Sequence, residues 1–281
     1  MAEYAHPEKL VTTDWVADNL DNPNVVLIEV DVDTSAYDEG HPPGSVAWNW
    51  TSQLQDQVSR DVASREVVTD LLRSAGANDD SQIVLFGDNN NWFAAYALWM
   101  LELYGVSNTA LMNGGRAKWE AEGRATTTDA PAPAAGSISV AERDEALRAK
   151  LPDVLAHVEA GGQLVDVRSP DEFNGVIMAP PGMAETAQRK GHVPGASNIP
   201  WVTAVAEDGT FKSADELSEI YQSKGITGDE PVIAYCRIGE RSSHSWFALR
   251  YLLGIDNTTN YDGSWTEYGS VVGVPIANPS A

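Results

Sequence analysis

The stretch "PVIAYCRIGERSSHSWFALRYLLG", residues 231–254, decides the fold. It opens with an apolar run, "PVIAY", of the kind found in parallel strands that are buried on both faces. From Ser242 onward, apolar residues recur at helical spacing up to Gly254, and glycine is favoured immediately after a helix. A strand, a loop and a helix in this order predict an α/β fold, in which helices cover both faces of a parallel sheet.

The same pattern is written twice along the chain. "VVLIEVDVDTSAYDEGHPPGS", residues 25–45, resembles "QLVDVRSPDEFNGV", residues 163–176, together with the "GHVPGAS" that follows it. "SQIVLFGDNNNWFAAYALWMLELYG", residues 81–105, resembles residues 230–254. The pattern predicts two tandem domains of the same fold.

The spacing of equivalent residues supports the duplication. His41 and His192 are 151 residues apart, and Asp88 and Cys236 are 148 apart. The second half carries an inserted segment within residues 175–190. Between the halves, Pro, Ala, Thr and Ser predominate, which is typical of an extended linker. We therefore predict an N-terminal domain at residues 1–125, a linker at 126–142 and a C-terminal domain at 143–281.

Composition and charge exclude several classes of partner. The 281 residues are 43% hydrophobic and 21% charged, as expected for a globular protein with a substantial core. A formal net charge of −23 disfavours nucleic acid and anionic membranes, because both would be repelled. The single cysteine excludes an intramolecular disulfide. Without a signal-peptide pattern or an apolar run long enough to span a bilayer, we expect a cytoplasmic protein.

Cys236, the single cysteine, lies where the strand ends and the loop begins. Ligands of parallel sheets bind at the carboxyl ends of the strands. Gly239 allows the loop to curl, and Ser242 or Ser243 is a suitable N-cap, so that backbone N–H groups would point towards the sulfur. Two nearby arginines would then favour the thiolate. The pattern predicts a nucleophile, whereas the alternative is a small buried hydrophobic residue.

The spacing of the loop distinguishes two kinds of chemistry. Phosphatases that form a cysteinyl-phosphate carry Cys-x₅-Arg, whereas Cys236 and Arg241 form Cys-x₄-Arg. The shorter loop makes a tighter cradle, which suits one added sulfur atom better than a tetrahedral phosphate. We therefore favour sulfur transfer and keep phosphatase chemistry as an alternative.

Three motifs in order resemble the two-domain rhodaneses, or thiosulfate sulfurtransferases. They are "GHVPGASNIPW" at 191–201, "YCRIGERSSHSWFAL" at 235–249, which resembles the loop of the actinobacterial type, and "YDGSWTEYG" at 261–269. The resemblance implies a catalytic C-terminal domain and an inactive N-terminal copy, in which Asp88 takes the place of the cysteine. It implies a double displacement through a Cys236 persulfide, with neither a metal nor an organic cofactor.

The resemblance also implies which residues bind the substrate. Those in the loop are Arg237, Ile238, Gly239, Glu240 and Arg241.

The chain departs from the family pattern at two of the implied positions. Glu172 stands where a substrate-binding arginine is expected, and Ile238 stands where the vertebrate form has lysine. Arg237 and Arg241 are the expected replacement cations, and Arg189 or Lys190 in the inserted segment is a further candidate.

Asp166, Arg168 and Ser242 are expected to support the loop. The expected partners are a small anionic sulfur donor and, as acceptor, cyanide, a thiol or a dithiol, and we expect a monomer or weak dimer. A 3-mercaptopyruvate sulfurtransferase and a sulfur-carrier or docking module with little turnover are the alternatives.

Overall fold

The computed structural model describes residues 3–183 and 186–281, so Ala184 and Glu185 of the inserted segment lie outside the described residues. The chain forms two compact units. The first comprises residues 6–144 and 207–211, and the second comprises residues 145–206 and 212–281 with the described residues up to Ala5.

The first unit is built on a five-stranded parallel sheet. Its strands are β1 (Leu10–Val11), β2 (Val25–Asp31), β3 (Val46–Asn49), β4 (Gln82–Phe86) and β5 (Thr109–Met112). Its helices are α1 (Thr13–Asp18), α2 (Ser35–Glu39), α3 (Trp50–Gln53), α4 (Arg65–Ser74), α5 (Asp88–Leu103) and α6 (Gly115–Ala121), with a 3-10 turn at Pro7–Lys9. The strand order is β1-β5-β4-β2-β3, and β2 and β4 are buried along almost their whole length.

The second unit repeats this plan with four parallel strands. They are β6 (Gln163–Asp166), β7 (Ser197–Asn198), β8 (Val232–Tyr235) and β9 (Thr258–Tyr261), in the order β7-β6-β8-β9. The helices are α7 (Leu151–Ala160), α8 (Pro170–Phe173), α9 (Ala214–Gln222), α10 (Glu240–Phe247) and α11 (Ser264–Tyr268). Glu145–Leu147 and Trp201–Ala204 form 3-10 turns, and a π-helical turn at Ala248–Leu252 extends α10. The predicted fold class, two parallel sheets flanked by helices, is confirmed.

The chain reverses after two long helical segments at the predicted glycines. Gly105 follows the end of α5 with φ +76°, and Gly254 follows the π-helical turn with φ +71°. Residues with side chains are disfavoured at such angles, which is why both segments end there.

A fully buried aromatic cluster lies under the carboxyl ends of β8 and β9. Tyr235, Tyr261, Trp265 and Tyr268 pack with Val193 in this core, and none of their side chains is more than 1% exposed. Burying an aromatic side chain contributes roughly 1.5–3 kcal/mol relative to leaving it exposed. The cluster makes a rigid floor for the loop that follows β8.

The two repeated histidines occupy equivalent places in the two units. Nδ1 of His41 lies 2.8 Å from the carbonyl oxygen of Tyr37, and Nδ1 of His192 lies 2.8 Å from that of Phe173. Each imidazole also stacks on the same aromatic ring, at 3.7 Å and 3.6 Å between centroids. Both histidines therefore brace turns, as their recurrence in both halves predicts.

Residues 128–144, which include most of the predicted linker, form neither helix nor strand and run along the first unit. Gly136 donates a backbone hydrogen bond to Arg73, and Ile138 donates one to Ala77. A Cβ at Gly136 would lie 2.0 Å from the carbonyl oxygen of Ala77, so only glycine allows this approach. In residues 3–183 and 186–281, no helix is both long and apolar enough to cross a bilayer.

Candidate active site

The single cysteine is held by the backbone on both sides. Cys236 directly follows β8 and has no solvent-exposed surface. Its N–H donates to Oγ of Ser264 at 3.0 Å, and its carbonyl oxygen accepts from the N–H of Trp265 at 3.1 Å. Strand β9 and the start of α11 therefore fix the sulfur at the carboxyl edge of the sheet.

The loop after Cys236 is shorter than the sequence predicts. Gly239 has φ +104° and is the N-cap of α10, which begins at Glu240. The expectation that Ser242 or Ser243 caps this helix is wrong, because the left-handed glycine already turns the chain into the helix three residues earlier. The N–H of Gly239 donates to Sγ of Cys236 at 3.1 Å, so the sulfur accepts a hydrogen bond at the N-terminus of α10.

Because the helix begins early, Glu240 faces the sulfur. Its Oε2 lies 3.4 Å from Sγ of Cys236, and its side chain is 2% exposed. Burial raises the pKa of the Cys236 thiol and the charge of Glu240 raises it further, whereas Arg241 and hydrogen bonds from Ser242 lower it. The net pKa is raised, so the expectation of a favoured thiolate is wrong for the resting site.

Arg241, a predicted substrate cation, already has an anionic partner. Its Nη1 and Nη2 each lie 3.1 Å from one carboxylate oxygen of Glu172 in α8, and both side chains are buried. Glu172 also accepts hydrogen bonds from the N–H and hydroxyl of Ser169. Burial raises the pKa of Glu172, but the hydrogen bonds and charge of Arg241 outweigh it and lower the net pKa. Glu172 thus neutralises a loop arginine.

Arg237 and Arg241 both face a second glutamate, Glu240. Nη2 of Arg237 and Nε of Arg241 each lie 3.8 Å from Oε1 of Glu240. Arg237 is 9% exposed and Ile238 is 5% exposed, so the loop between sulfur and helix is buried. The loop's two arginines face two glutamates, Glu172 and Glu240, and the formal charges of these four side chains cancel.

The cations predicted in the inserted segment bond elsewhere. The Arg189 guanidinium donates to the carbonyl oxygens of Gly269 and Val271, and Lys190 donates to that of Val176. The Arg189 bonds hold the segment against the residues that follow α11, whereas the Lys190 bond lies within the segment. Neither cation is directed at Cys236.

Asp166 and Arg168 form a buried pair at the end of β6. Nη2 of Arg168 lies 2.6 Å from Oδ2 of Asp166, and it also donates to the carbonyl oxygen of Gly191 at 2.8 Å. The guanidinium lies 4.6 Å from the centre of the Trp265 ring. Oδ1 of Asp166 also accepts from the backbone N–H of Arg168 at 3.0 Å, so the carboxylate of Asp166 is occupied within its own turn. The pair braces the turn before His192.

The comparisons with known proteins agree with this geometry. The rhodanese-like domain profile matches residues 12–122 and 150–270. The chain belongs to the rhodanese family. It is 55% identical over 280 residues to a protein of Haloferax volcanii that carries the provisional name thiosulfate sulfurtransferase, with 98% of each chain covered. It is 52% identical over 279 residues to the sulfur carrier protein TtuD of Thermus thermophilus, again with 98% of each covered.

A solved rhodanese has the same architecture. The crystal structure of SseA from Escherichia coli, described as a 3-mercaptopyruvate sulfotransferase, superposes with a TM-score of 0.78 at 29% identity. The match covers 92% of this chain and 98% of SseA. The chain is therefore a sulfurtransferase of the rhodanese family.

In this rhodanese, Asn260 and Ser264 support the loop, and neither was predicted from the sequence. Ser242, predicted to support the loop, donates through Oγ to Oδ1 of Asn260 at 2.6 Å and lies 3.6 Å from Sγ of Cys236. Nδ2 of Asn260 donates to Oγ of Ser243 at 2.9 Å. Asn260 and Ser264 flank the end of β9. Both are polar residues at the carboxyl end of a strand next to β8, and polar residues at the carboxyl ends of neighbouring parallel strands lie close together. That position in the sequence could have indicated them.

Strand register corrects the pairing of the two rhodanese repeats. The N–H of Arg116 donates to the carbonyl oxygen of Gly87 at 3.1 Å, just as that of Trp265 donates to Cys236. Gly87, rather than Asp88, therefore occupies the place of the cysteine, and the earlier pairing with Asp88 is one residue off. The three asparagines that follow Asp88 all have positive φ, so no regular helix N-terminus faces this position. The first unit carries no sulfur nucleophile, since Cys236 is the single cysteine.

Proposed function

We propose that this rhodanese moves the outer sulfur of thiosulfate to cyanide or to a thiol acceptor, through a persulfide on Cys236. The observation that carries the proposal is the position of the single cysteine, whose Sγ accepts the Gly239 N–H at the start of α10. A helix N-terminus stabilises negative charge, so a persulfide anion formed there is favoured. The Haloferax relative's name supports thiosulfate as the donor.

The transfer divides into two displacements. Sγ of Cys236 attacks the outer sulfur of thiosulfate, the sulfur–sulfur bond of the donor breaks, and sulfite leaves with the electron pair. The acceptor then attacks the terminal sulfur of the persulfide and carries that sulfur away, and Cys236 is released without it. Covalent catalysis of this kind replaces one difficult transfer with two easier ones. The backbone N–H groups of Gly239 and Ser242 are the preorganised donors for the persulfide charge.

A sulfur carrier is a second candidate function, and the charge balance of the loop favours it. Arg241 is paired with Glu172, and Arg237 and Arg241 both face Glu240. A donor with less charge than the thiosulfate dianion, such as a persulfide on another protein, suits this neutral loop better. The Thermus relative is named a sulfur carrier protein. A 3-mercaptopyruvate donor is a third possibility, which the likeness to SseA supports.

Intact mass spectrometry tests the proposal, because the chain has one cysteine and every sulfur adduct must be located there. Reduced protein is incubated separately with thiosulfate, 3-mercaptopyruvate or a small persulfide, then freed of donor and weighed. We expect thiosulfate to add one sulfur atom to the wild type and none to Cys236→Ser. Released sulfite, and thiocyanate formed on adding cyanide, complete the assignment.

The donor arms separate the three candidates. An adduct from mercaptopyruvate but not from thiosulfate would favour the third. An adduct from the small persulfide, with slow transfer onward to cyanide, would favour the carrier. An adduct that persists in Cys236→Ser would refute the proposal, because no other thiol exists in the chain.

A further inference from the structure

Glu240 contacts the reacting atom. Its Oε2 is 3.4 Å from Sγ of Cys236, within the distance at which a thiol donates a hydrogen bond to an oxygen. Its other oxygen, Oε1, lies 3.8 Å from a guanidinium nitrogen of Arg237 and 3.8 Å from one of Arg241. One oxygen of the carboxylate therefore faces cations, while the other faces sulfur.

The pairing of Arg241 with Glu172 fixes this arrangement from behind. Glu172 is fully buried and is held by the capping box of α8, in which its side chain accepts from Ser169. A bidentate arginine–carboxylate pair has a defined geometry. Arg241 therefore presents Nε to Glu240 at a fixed place. Glu172, which stands where the family pattern has an arginine, therefore positions Arg241. Arg241 in turn faces Glu240, which contacts the sulfur.

A buried thiol needs a nearby base. The thiolate is the nucleophile, and Cys236 has no surface from which solvent could take its proton. An arrangement of cations alone would stabilise a permanent thiolate. This site instead places a carboxylate against the sulfur and two arginines behind the carboxylate.

We propose that Glu240 is the acid–base residue of the sulfur transfer, taking the proton of Cys236 as the donor is attacked and giving it to the departing group. The inference rests on the proposed persulfide function. With thiosulfate, the Sγ–H bond breaks as Sγ bonds to the outer sulfur, and the proton passes to Oε2 of Glu240. The donor's sulfur–sulfur bond breaks, and sulfite takes the electron pair.

The proton then returns from Glu240 to the sulfite, which departs as bisulfite, and the Cys236 persulfide remains as an anion. Charge and atoms balance in both steps, and no oxidant or reductant is needed. In the second displacement an acceptor thiol gives its proton to Glu240 as it attacks the persulfide, and Cys236 receives that proton as it leaves. Arg237 and Arg241 stabilise the carboxylate form between the transfers.

Glu240→Gln separates this role from a purely electrostatic one, because the two roles predict opposite changes in two rates. The first rate is alkylation of Cys236 by iodoacetamide, read as mass gain, which follows the amount of thiolate. The second is the single-turnover rate of persulfide formation from thiosulfate. We expect alkylation at neutral pH to become faster, because the like charge beside the sulfur is gone. We expect persulfide formation to become about 10²-fold slower, as for loss of a general acid–base group.

Glu240→Asp should restore part of the lost rate, and Glu216→Gln, the same change at an exposed glutamate of α9, should alter neither rate. If Glu240→Gln accelerates both rates, or changes persulfide formation less than about twofold against the roughly 10²-fold expected of a general base, the inference is overturned while the proposed function stands. A wild type that alkylates but forms no persulfide from any donor would overturn both.

A solvent isotope measurement on the wild type tests the inference even if Glu240→Gln does not fold. Proton transfer to Glu240 during the attack makes persulfide formation slower in D₂O than in H₂O. A preformed thiolate gives an equal or faster rate in D₂O, which would overturn the inference.

Discussion

Replacing Glu172 with glutamine tests the charge network where it is most deeply buried. The carboxylate of Glu172 is fully buried, and the Arg241 side chain that it pairs with is 5% exposed. Removing one partner of a buried ion pair costs about 3–5 kcal/mol, because the other charge is left uncompensated. Glutamine retains an oxygen that can accept from Ser169 and Arg241, so we expect about 3 kcal/mol, the lower end of that range.

The matched control is Glu216→Gln in α9. Glu216 makes the same capping box with Ser213 that Glu172 makes with Ser169, but it is exposed. Loss of a capping interaction at a helix N-terminus costs typically about 1 kcal/mol. The difference of about 2 kcal/mol between the two variants therefore measures what the buried pair adds to the capping box.

Cys236 itself supplies the assay. It is the single cysteine, it lies in the second unit, and it is fully buried, so the rise of its alkylation rate above the native rate of the same variant, followed in increasing urea, reports the unfolding of that unit. With a urea dependence of about 1–3 kcal/mol/M, a loss of 3 kcal/mol lowers the midpoint by about 1–3 M. A shift in Glu172→Gln no larger than that in Glu216→Gln would refute the reasoning.

Two further results support the same reasoning. The double variant Glu172→Met, Arg241→Leu should be more stable than Glu172→Gln, because it leaves no unpaired charge. The pKa of Glu172 is lowered in the folded state, so the stabilisation is present above its unfolded value of about 4.3 and is lost as pH falls below it. The difference between wild type and Glu172→Gln should therefore shrink in acid.

Two other substitutions test the loop and the first unit. Gly239→Ala should slow persulfide formation at least tenfold in single turnover, because the φ of Gly239 is +104° and an added Cβ would lie 2.9 Å from Cα of Asp262. The control is Gly161→Ala, at φ +70°, where an added Cβ would have no atom within 4 Å. Equal effects of the two substitutions would contradict the steric argument. The pKa of Asp31 is raised to about 7, mainly by burial, so its ionisation should destabilise the first unit as pH rises from about 4 to about 7. Asp31→Asn keeps an acceptor for the N–H of Asp88 and should gain stability over the wild type across that range in thermal unfolding; a constant difference would contradict this.

The strands and helix ends were predictable from the sequence because their causes are local. The run "PVIAY" is apolar at every position, so it predicts a buried strand without reference to its neighbours. It comprises Pro231 and the four residues of β8. Gly105 and Gly254 end their helical segments because left-handed angles favour glycine wherever they occur. Duplication and motif order were equally visible. The position of Cys236 at the carboxyl edge of the sheet followed from these features.

The start of α10 was not predictable, because two signals competed. Ser242 and Ser243 are good N-caps, but the hydroxyl of Ser242 donates to Oδ1 of Asn260, and that of Ser243 donates to the carbonyl oxygen of Gly239. Gly239 can both turn a loop and begin a helix, and a side chain there would collide with Asp262, which directly follows β9. The helix therefore begins at Glu240. That difference places Glu240, predicted from the sequence only as a substrate-binding residue of the loop, against the sulfur.

The same limit explains why the loop arginines were assigned to the substrate. In "CRIGER" two arginines follow the cysteine, and the one glutamate between them cannot balance both. Glu172 lies 69 residues before Arg241, and only the fold brings the two together. A sequence shows which residues carry charge, but not which charges are already paired. Once Glu172 and Glu240 are included, the surroundings of Cys236 are neutral rather than cationic, and a site of that kind handles protons as well as anions.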